Sequence, residues 1–154
     1  MTTDPIAAIE FETLAFARHV DAVVGRARSD EHVLEASAYT LLSLIAAGGP
    51  ASIGTLSAIT GLDASTLNRQ TAALVRDGHV ERVPDPAGGI ARVFKLTFAG
   101  QMALEFEQSQ SRSALARTLS DWTAVERDEL ARVLRRFNQS IERSYNKPWP
   151  RAEQ

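Results

Sequence analysis

The chain has 154 residues, 44% of them hydrophobic, no cysteine and a net charge of -2. That length suits one domain, or one domain with helical extensions, and the lack of cysteine excludes disulfides and thiolate metal sites within these residues. No apolar run approaches the roughly 18 residues of a membrane span, and the start Met-Thr-Thr-Asp-Pro lacks the basic-then-apolar pattern of a signal peptide, so a soluble, cytoplasmic protein is expected.

In chain order, Ile6, Ile9, Phe16, Val20 and Val23 recur at helical spacing, with Leu14, Ala17 and Val24 widening the stripe. The spacing predicts a long amphipathic helix that starts after Asp4-Pro5 and ends near Ser29-Asp30. His19 lies beside the stripe, placed to pack or to line a pocket. Leu34 to Ala46 is nearly all apolar on one side and runs into Gly48-Gly49-Pro50, which predicts a buried helix with a firm stop. Tyr39, Leu42, Ile45 and Ala46 share its inner face, and the Tyr39 phenol is either a satisfied core group or a ligand contact.

The stretch Ser52 to Val83 organises the rest. Ile53, Leu56 and Ile59 line one face of a short helix that Ser52 can cap, and Gly61 supplies the backbone turn, with Leu62 expected to tuck inward. A second helix, capped by Asp63, directs Leu67, Leu74 and Val75 to the core and leaves Ser65, Thr66, Asn68, Arg69, Ala72 and Arg76 outside, before a stop at Gly78. Those outer side chains suit a groove: arginine binds guanine bidentately, asparagine pairs with adenine, and hydroxyls bond phosphate. Helix-start residues alone explain serine, threonine and asparagine there equally well.

Val80-Glu81-Arg82-Val83 then alternates as a strand, Pro84 to Gly89 turns, and Arg92 to Leu96 returns as its partner. A hairpin directly after a recognition helix is a wing. Strand alternation places Ile90, Arg92 and Phe94 on one face and Val93 and Lys95 on the other, with Arg92 positioned for a minor groove or phosphate. Thr97 caps a further helix with Phe98, Met102, Ala103 and Phe106, whose middle, Glu107 to Ser113, is polar, as in a strut. Thr123 and Glu126 have capping-box spacing before the stripe Leu130, Val133, Leu134, Phe137 and Ile141. The tail from Asn146 holds two prolines and cannot continue the helix; it either lies loose or latches onto a partner chain.

The fold class expected is therefore mainly α with a small β-hairpin wing: an N-terminal dimerisation helix (1–33), a winged helix-turn-helix (34–97), and C-terminal dimerisation helices and tail (98–154). The outer helices carry apolar faces beyond what the reading head needs, and a homodimer is the simplest use for them. Residues 1–62 are net acidic, whereas 63–97 carry five basic side chains against four acidic ones, so charge permits DNA as a partner without requiring it. No phosphate loop or nucleophile elbow is present, and His19, His32 and His79 lack metal-ligand spacing; no enzyme, cofactor or metal is expected, and His79 reads as an exposed residue leading into the strand.

The order of elements, with Asp63 to Arg69, Leu74 to Val80, and Leu96-Thr97 with Gly100, resembles the MarR family of bacterial transcriptional regulators over nearly the whole chain. The resemblance implies a dimer on pseudo-palindromic double-stranded DNA, usually a repressor, released by a small and often aromatic anion. A crevice where the first two helices meet the strut would then hold such an effector, with Phe16, His19 and Tyr39 as its candidate contacts. One departure stands out: the family's wing usually has an acidic residue and then an arginine where this chain has Gly88 and Ile90, leaving Arg92 to substitute. From another class, a winged-helix protein-interaction module that has lost specific DNA binding remains the alternative.

Overall fold

Local chemistry sets where the helices begin. In the computed structural model, which describes residues 4–23 and 33–151, the helices are α1 (Pro5–Val23), α2 (Ala36–Gly48), α3 (Ile53–Thr60), α4 (Ala64–Arg76), α5 (Phe98–Thr118) and α6 (Ala124–Tyr145). The Asp4 carboxylate accepts the Ile6 N–H at 3.0 Å to open α1, and the Ser52 hydroxyl accepts the Thr55 N–H at 3.1 Å to open α3. Thr97 does the same for Gly100 at the start of α5, and Thr123 with Glu126 forms a reciprocal capping box on α6. The expected end of the first helix, at Ser29-Asp30, lies outside the described residues.

The two strands, β1 (Val80–Pro84) and β2 (Arg92–Leu96), pair antiparallel from Val80 opposite Leu96 to Pro84 opposite Arg92. Ala51 adds one bridge on the far side of β2, exchanging both backbone bonds with Phe94 at 2.9 and 3.1 Å. The unbroken register keeps Arg92 and Phe94 on one face of β2 and Val93 and Lys95 on the other, as the alternation predicts. Two points differ: Val93 and Phe94 are both buried although they lie on opposite faces, and Ile90 lies outside the strand and is fully exposed.

Leu41, Leu42, Leu56, Leu67 and Leu104, all 1% exposed or less, form the centre of a core shared by α2, α3, α4 and α5. Gly61, with φ 74°, makes the α3 to α4 turn. Gly100 is required for another reason: a Cβ there would stand 1.9 Å from the His79 carbonyl oxygen, so α5 can leave the wing at this angle only without a side chain.

Four sequence expectations are corrected. Leu62 is 38% exposed, because its backbone is held in the turn by Thr60 and Ser57 rather than by burial. Val75 is likewise 38% exposed; Thr71 is the buried residue between Leu67 and Leu74, its hydroxyl satisfied by the Leu67 carbonyl at 2.8 Å. Ala46 faces out, and the inner face of α2 carries Leu41 and Leu44 instead. Glu107, within the stretch read as a polar strut, is 1% exposed and accepts the backbone N–H groups of Val33 and Leu34 at 2.7 and 3.0 Å. Its carboxylate replaces helix bonds for the chain approaching α2, which is why that helix starts at Ala36 and not at Leu34.

The outer helices are a contrast. α6 has no buried residue, and Val133, Leu134, Phe137 and Ile141 remain 40–47% exposed. Ile6, Ile9, Leu14 and Phe16 of α1 and Phe98, Met102 and Phe106 of α5 are exposed as well.

Candidate nucleic-acid interface

Asp63 sets the geometry at the start of α4. Its carboxylate accepts the Ser65 hydroxyl at 2.6 Å, the Thr66 N–H at 2.8 Å and the Thr66 hydroxyl at 2.9 Å. Those bonds, Ser65 first and then Thr66, hold the carboxyl far below the ordinary carboxylate range. The Ser65 and Thr66 hydroxyls are thus committed as donors to the cap and offer a groove only their acceptor lone pairs.

Asn68 and Arg69 follow, one turn into the helix. Both are exposed, and neither side chain has a hydrogen-bond partner among the described residues. Leu67, Thr71 and Leu74 anchor the opposite face of α4 in the core, so the pair is presented on a rigid element. Arg76, seven residues beyond Arg69 on the same side, has its Nε 3.0 Å from the Asp77 carboxylate. Both groups are at least half exposed, and such a pair is weak enough for phosphate to compete.

At the wing tip Asp85 accepts the Ala87 N–H on its side chain and the Gly88 N–H on its carbonyl, both at 2.9 Å, and Gly88 takes φ 83°. Arg92 does not reach outward from this tip. Its Nη2 donates to the Arg82 carbonyl at 3.2 Å, laying the guanidinium back along β1. Arg82, which sequence reasoning did not single out, sits with its guanidinium carbon 5.3 Å from the Phe94 ring centroid. Its signal was available in the hairpin register, since Arg82 stands directly opposite Phe94. The wing therefore carries two arginines, exposed near one another, in place of one at the tip.

The candidate effector contacts are less gathered. Phe16, 51% exposed, and His19 lie on the surface of α1, whereas Tyr39 is half-buried on α2 against the core. None of the three lines any of the three cavities described here. One cavity, of about 430 Å³, lies instead behind α4, walled by Leu34 and Ser37 on one side and by Arg69, Gln70 and His79 on the other. The Gln70 Oε1 and His79 Nδ1 atoms in that wall are buried and without a partner. His79, expected to be exposed, is half-buried because its backbone is clamped between the Leu74 carbonyl and the Thr97 N–H.

Among the described residues no group of acidic or histidine side chains is arranged to hold a metal ion, and no helix is long and apolar enough to cross a membrane.

Comparison with known proteins agrees with this geometry. The sequence profile of the MarR family matches residues 34–89, from the approach to α2 to the wing tip. An uncharacterised HTH-type transcriptional regulator of Bacillus subtilis, YxaD, is 30% identical over 138 residues, spanning 90% of this chain and 96% of that protein. Among solved structures, a MarR family protein from Bacillus stearothermophilus superposes with a TM-score of 0.74 at 23% identity, covering 91% of this chain and 99% of that one. RV1404 from Mycobacterium tuberculosis gives 0.71 at 21%, over 96% and 98%. Wild-type MarR from Escherichia coli in its apo form gives 0.64 at 20%, over 89% and 98%.

Proposed function

The chain belongs to the MarR family of transcriptional regulators and is a DNA-binding protein, and from that premise we propose that it works as a homodimeric repressor, released from a pseudo-palindromic operator by a small ligand, with aromatic acids as the candidates. The observation that carries the reading is the outer face of α4, where Asn68 and Arg69 stand exposed and without partners on a helix anchored from behind. In this reading those two contact base edges, Ser65 and Thr66 accept from bridging water or base amino groups, Arg76 exchanges Asp77 for phosphate, and Arg92 with Arg82 serves the wing. The exposed apolar faces of α1, α5 and α6 support a dimer, since faces of that extent are costly in water.

The effector step has two candidate locations. The crevice bounded by α1, α2 and α5 would use Phe16, His19 and Tyr39. The cavity behind α4 has the advantage of two buried polar atoms that a ligand would satisfy, and of Arg69 in its wall, so that occupancy and DNA contact compete for one side chain. Titrating a labelled operator duplex in the presence of benzoate, 4-hydroxybenzoate, nicotinate and indole-3-acetate tests the step. Release by at least one acid is the expected outcome, abolished by His19→Ala if the crevice is the site and by His79→Leu if the cavity is; unchanged affinity across the panel contradicts the effector reading.

Family membership also weighs against the interaction module. A protein that had kept the fold and lost DNA would have no need of the unpartnered Asn68 and Arg69 pair, and a steep fall of affinity with salt separates the two readings.

A further inference from the structure

The segment that follows α6 crosses back over the reading head. Asn146 takes a left-handed conformation, φ 50°, alone among the described non-glycine residues, and reverses the chain. Glu142, on the last turn of α6, clasps what returns: its carboxylate accepts both terminal nitrogens of Arg151, Nη1 at 2.9 Å, and the Trp149 N–H at 3.3 Å. Arg151 Nη1 also donates to the Trp149 carbonyl at 3.1 Å. The clasp is partly covered, with the Glu142 side chain 17% and the Arg151 side chain 34% exposed, so it is a bidentate pair less screened than the open Arg76–Asp77 contact.

Beyond the clasp the tail touches the head at three places. Pro150 seats on Gly48 at the end of α2, where an added Cβ would stand 3.3 Å from the proline Cβ. The Lys147 ammonium lies over Gly61, the turn between α3 and α4, 3.2 Å from the corresponding position. Trp149 lines one cavity with Ile59 of α3 and Tyr145 of α6, and another with Leu62 and Gln70 on either side of the start of α4. At its own start α6 is tied back to the turn after α5, through Arg127 on the Leu119 carbonyl. With no buried residue of its own, α6 gains from the tail an attachment at its far end.

We propose that Glu142, Trp149 and Arg151 are positioning residues for DNA recognition: the clasped tail is a strap that fixes the helix-turn-helix against α6 and so sets the separation of the two recognition helices in a dimer. The proposal rests on the dimeric regulator reading above. Adding one base pair between half-sites shifts them by roughly 3.4 Å and turns them by about 35°. A strapped dimer cannot follow that change, and an unstrapped one can.

The test uses the full chain, its Arg151→Ala variant and its Trp149→Ala variant, each measured for mass in solution and for affinity to the selected operator and to duplexes with one base pair inserted or removed between the half-sites. All three proteins are expected to remain dimers. The variants are expected to bind the operator about tenfold more weakly and to lose most of the wild-type preference for one spacing. A merely structural loss lowers affinity for every spacing alike. Wild-type spacing preference retained in either variant overturns the strap, whatever its affinity; failure of the wild type itself to select any operator overturns the dimeric regulator, and the strap with it.

Discussion

In the proposed reading Arg69 is the side chain on which base recognition rests most, because Ser65 and Thr66 spend their donors on Asp63 and Arg76 is held by Asp77. Arg69→Ala is expected to weaken specific binding by roughly 1–3 kcal/mol and to relax preference at one base pair, as read by titration against operator and single-substitution duplexes. Wild-type affinity in that variant would remove Arg69 from the interface. Asp63 carries a second expectation, about pH. Its folded carboxyl is depressed, as are those of Glu126, by Thr123, and Glu142, by Arg151. A depressed carboxyl contributes stability that is present above its unfolded value and is lost as pH falls through the folded value. Acid should therefore destabilise the protein below the ordinary carboxylate range, and Asp63→Asn should flatten that dependence while leaving Glu126 and Glu142 to titrate. An unchanged acid limb in thermal melts of the variant would contradict the assignment.

At the scale of elements, capping chemistry was legible in the sequence because it acts over three residues: Ser52, Asp63, Thr97 and Thr123 all cap the helices they precede. What spacing did not disclose depends on contacts distant in sequence. The Ala51 bridge joins β2 to a residue more than forty positions earlier, and no strand alternation reports it or the burial of both Val93 and Phe94. Glu107 reads as a solvated strut residue until the approach to α2 folds onto it. Gly100, by contrast, was singled out on resemblance, and the structure supplies the reason in the His79 carbonyl beside it. Gly100→Ala must push α5 away from the wing and is expected to cost about 3 kcal/mol, measured by urea unfolding. A cost near zero would mean that this junction yields easily.

For the whole molecule, the reading head shares one core with α5, whereas α6 keeps Leu134 and Phe137 at 44% and 40% exposure. Leu134→Glu with Phe137→Glu is expected to give a monomer with an intact α-helical spectrum and an operator affinity lower by several orders of magnitude, because one reading head has half the phosphate and base contacts. A dimer that survives both changes would place the interface elsewhere. The exposed outer face of α4 was legible because spacing alone assigns one side of a short helix to solvent. The cavity was not, because a cavity exists only after folding: the sequence pointed to Phe16, His19 and Tyr39, while the buried, unpartnered atoms belong to Gln70 and His79. Selection of random duplex DNA by the purified chain at near-physiological salt, followed by sequencing, addresses the central claim most directly. Recovery of an inverted repeat with half-sites about ten base pairs apart is the expected result, and recovery of no motif, or of an unrepeated half-site alone, would contradict a dimeric operator-binding regulator.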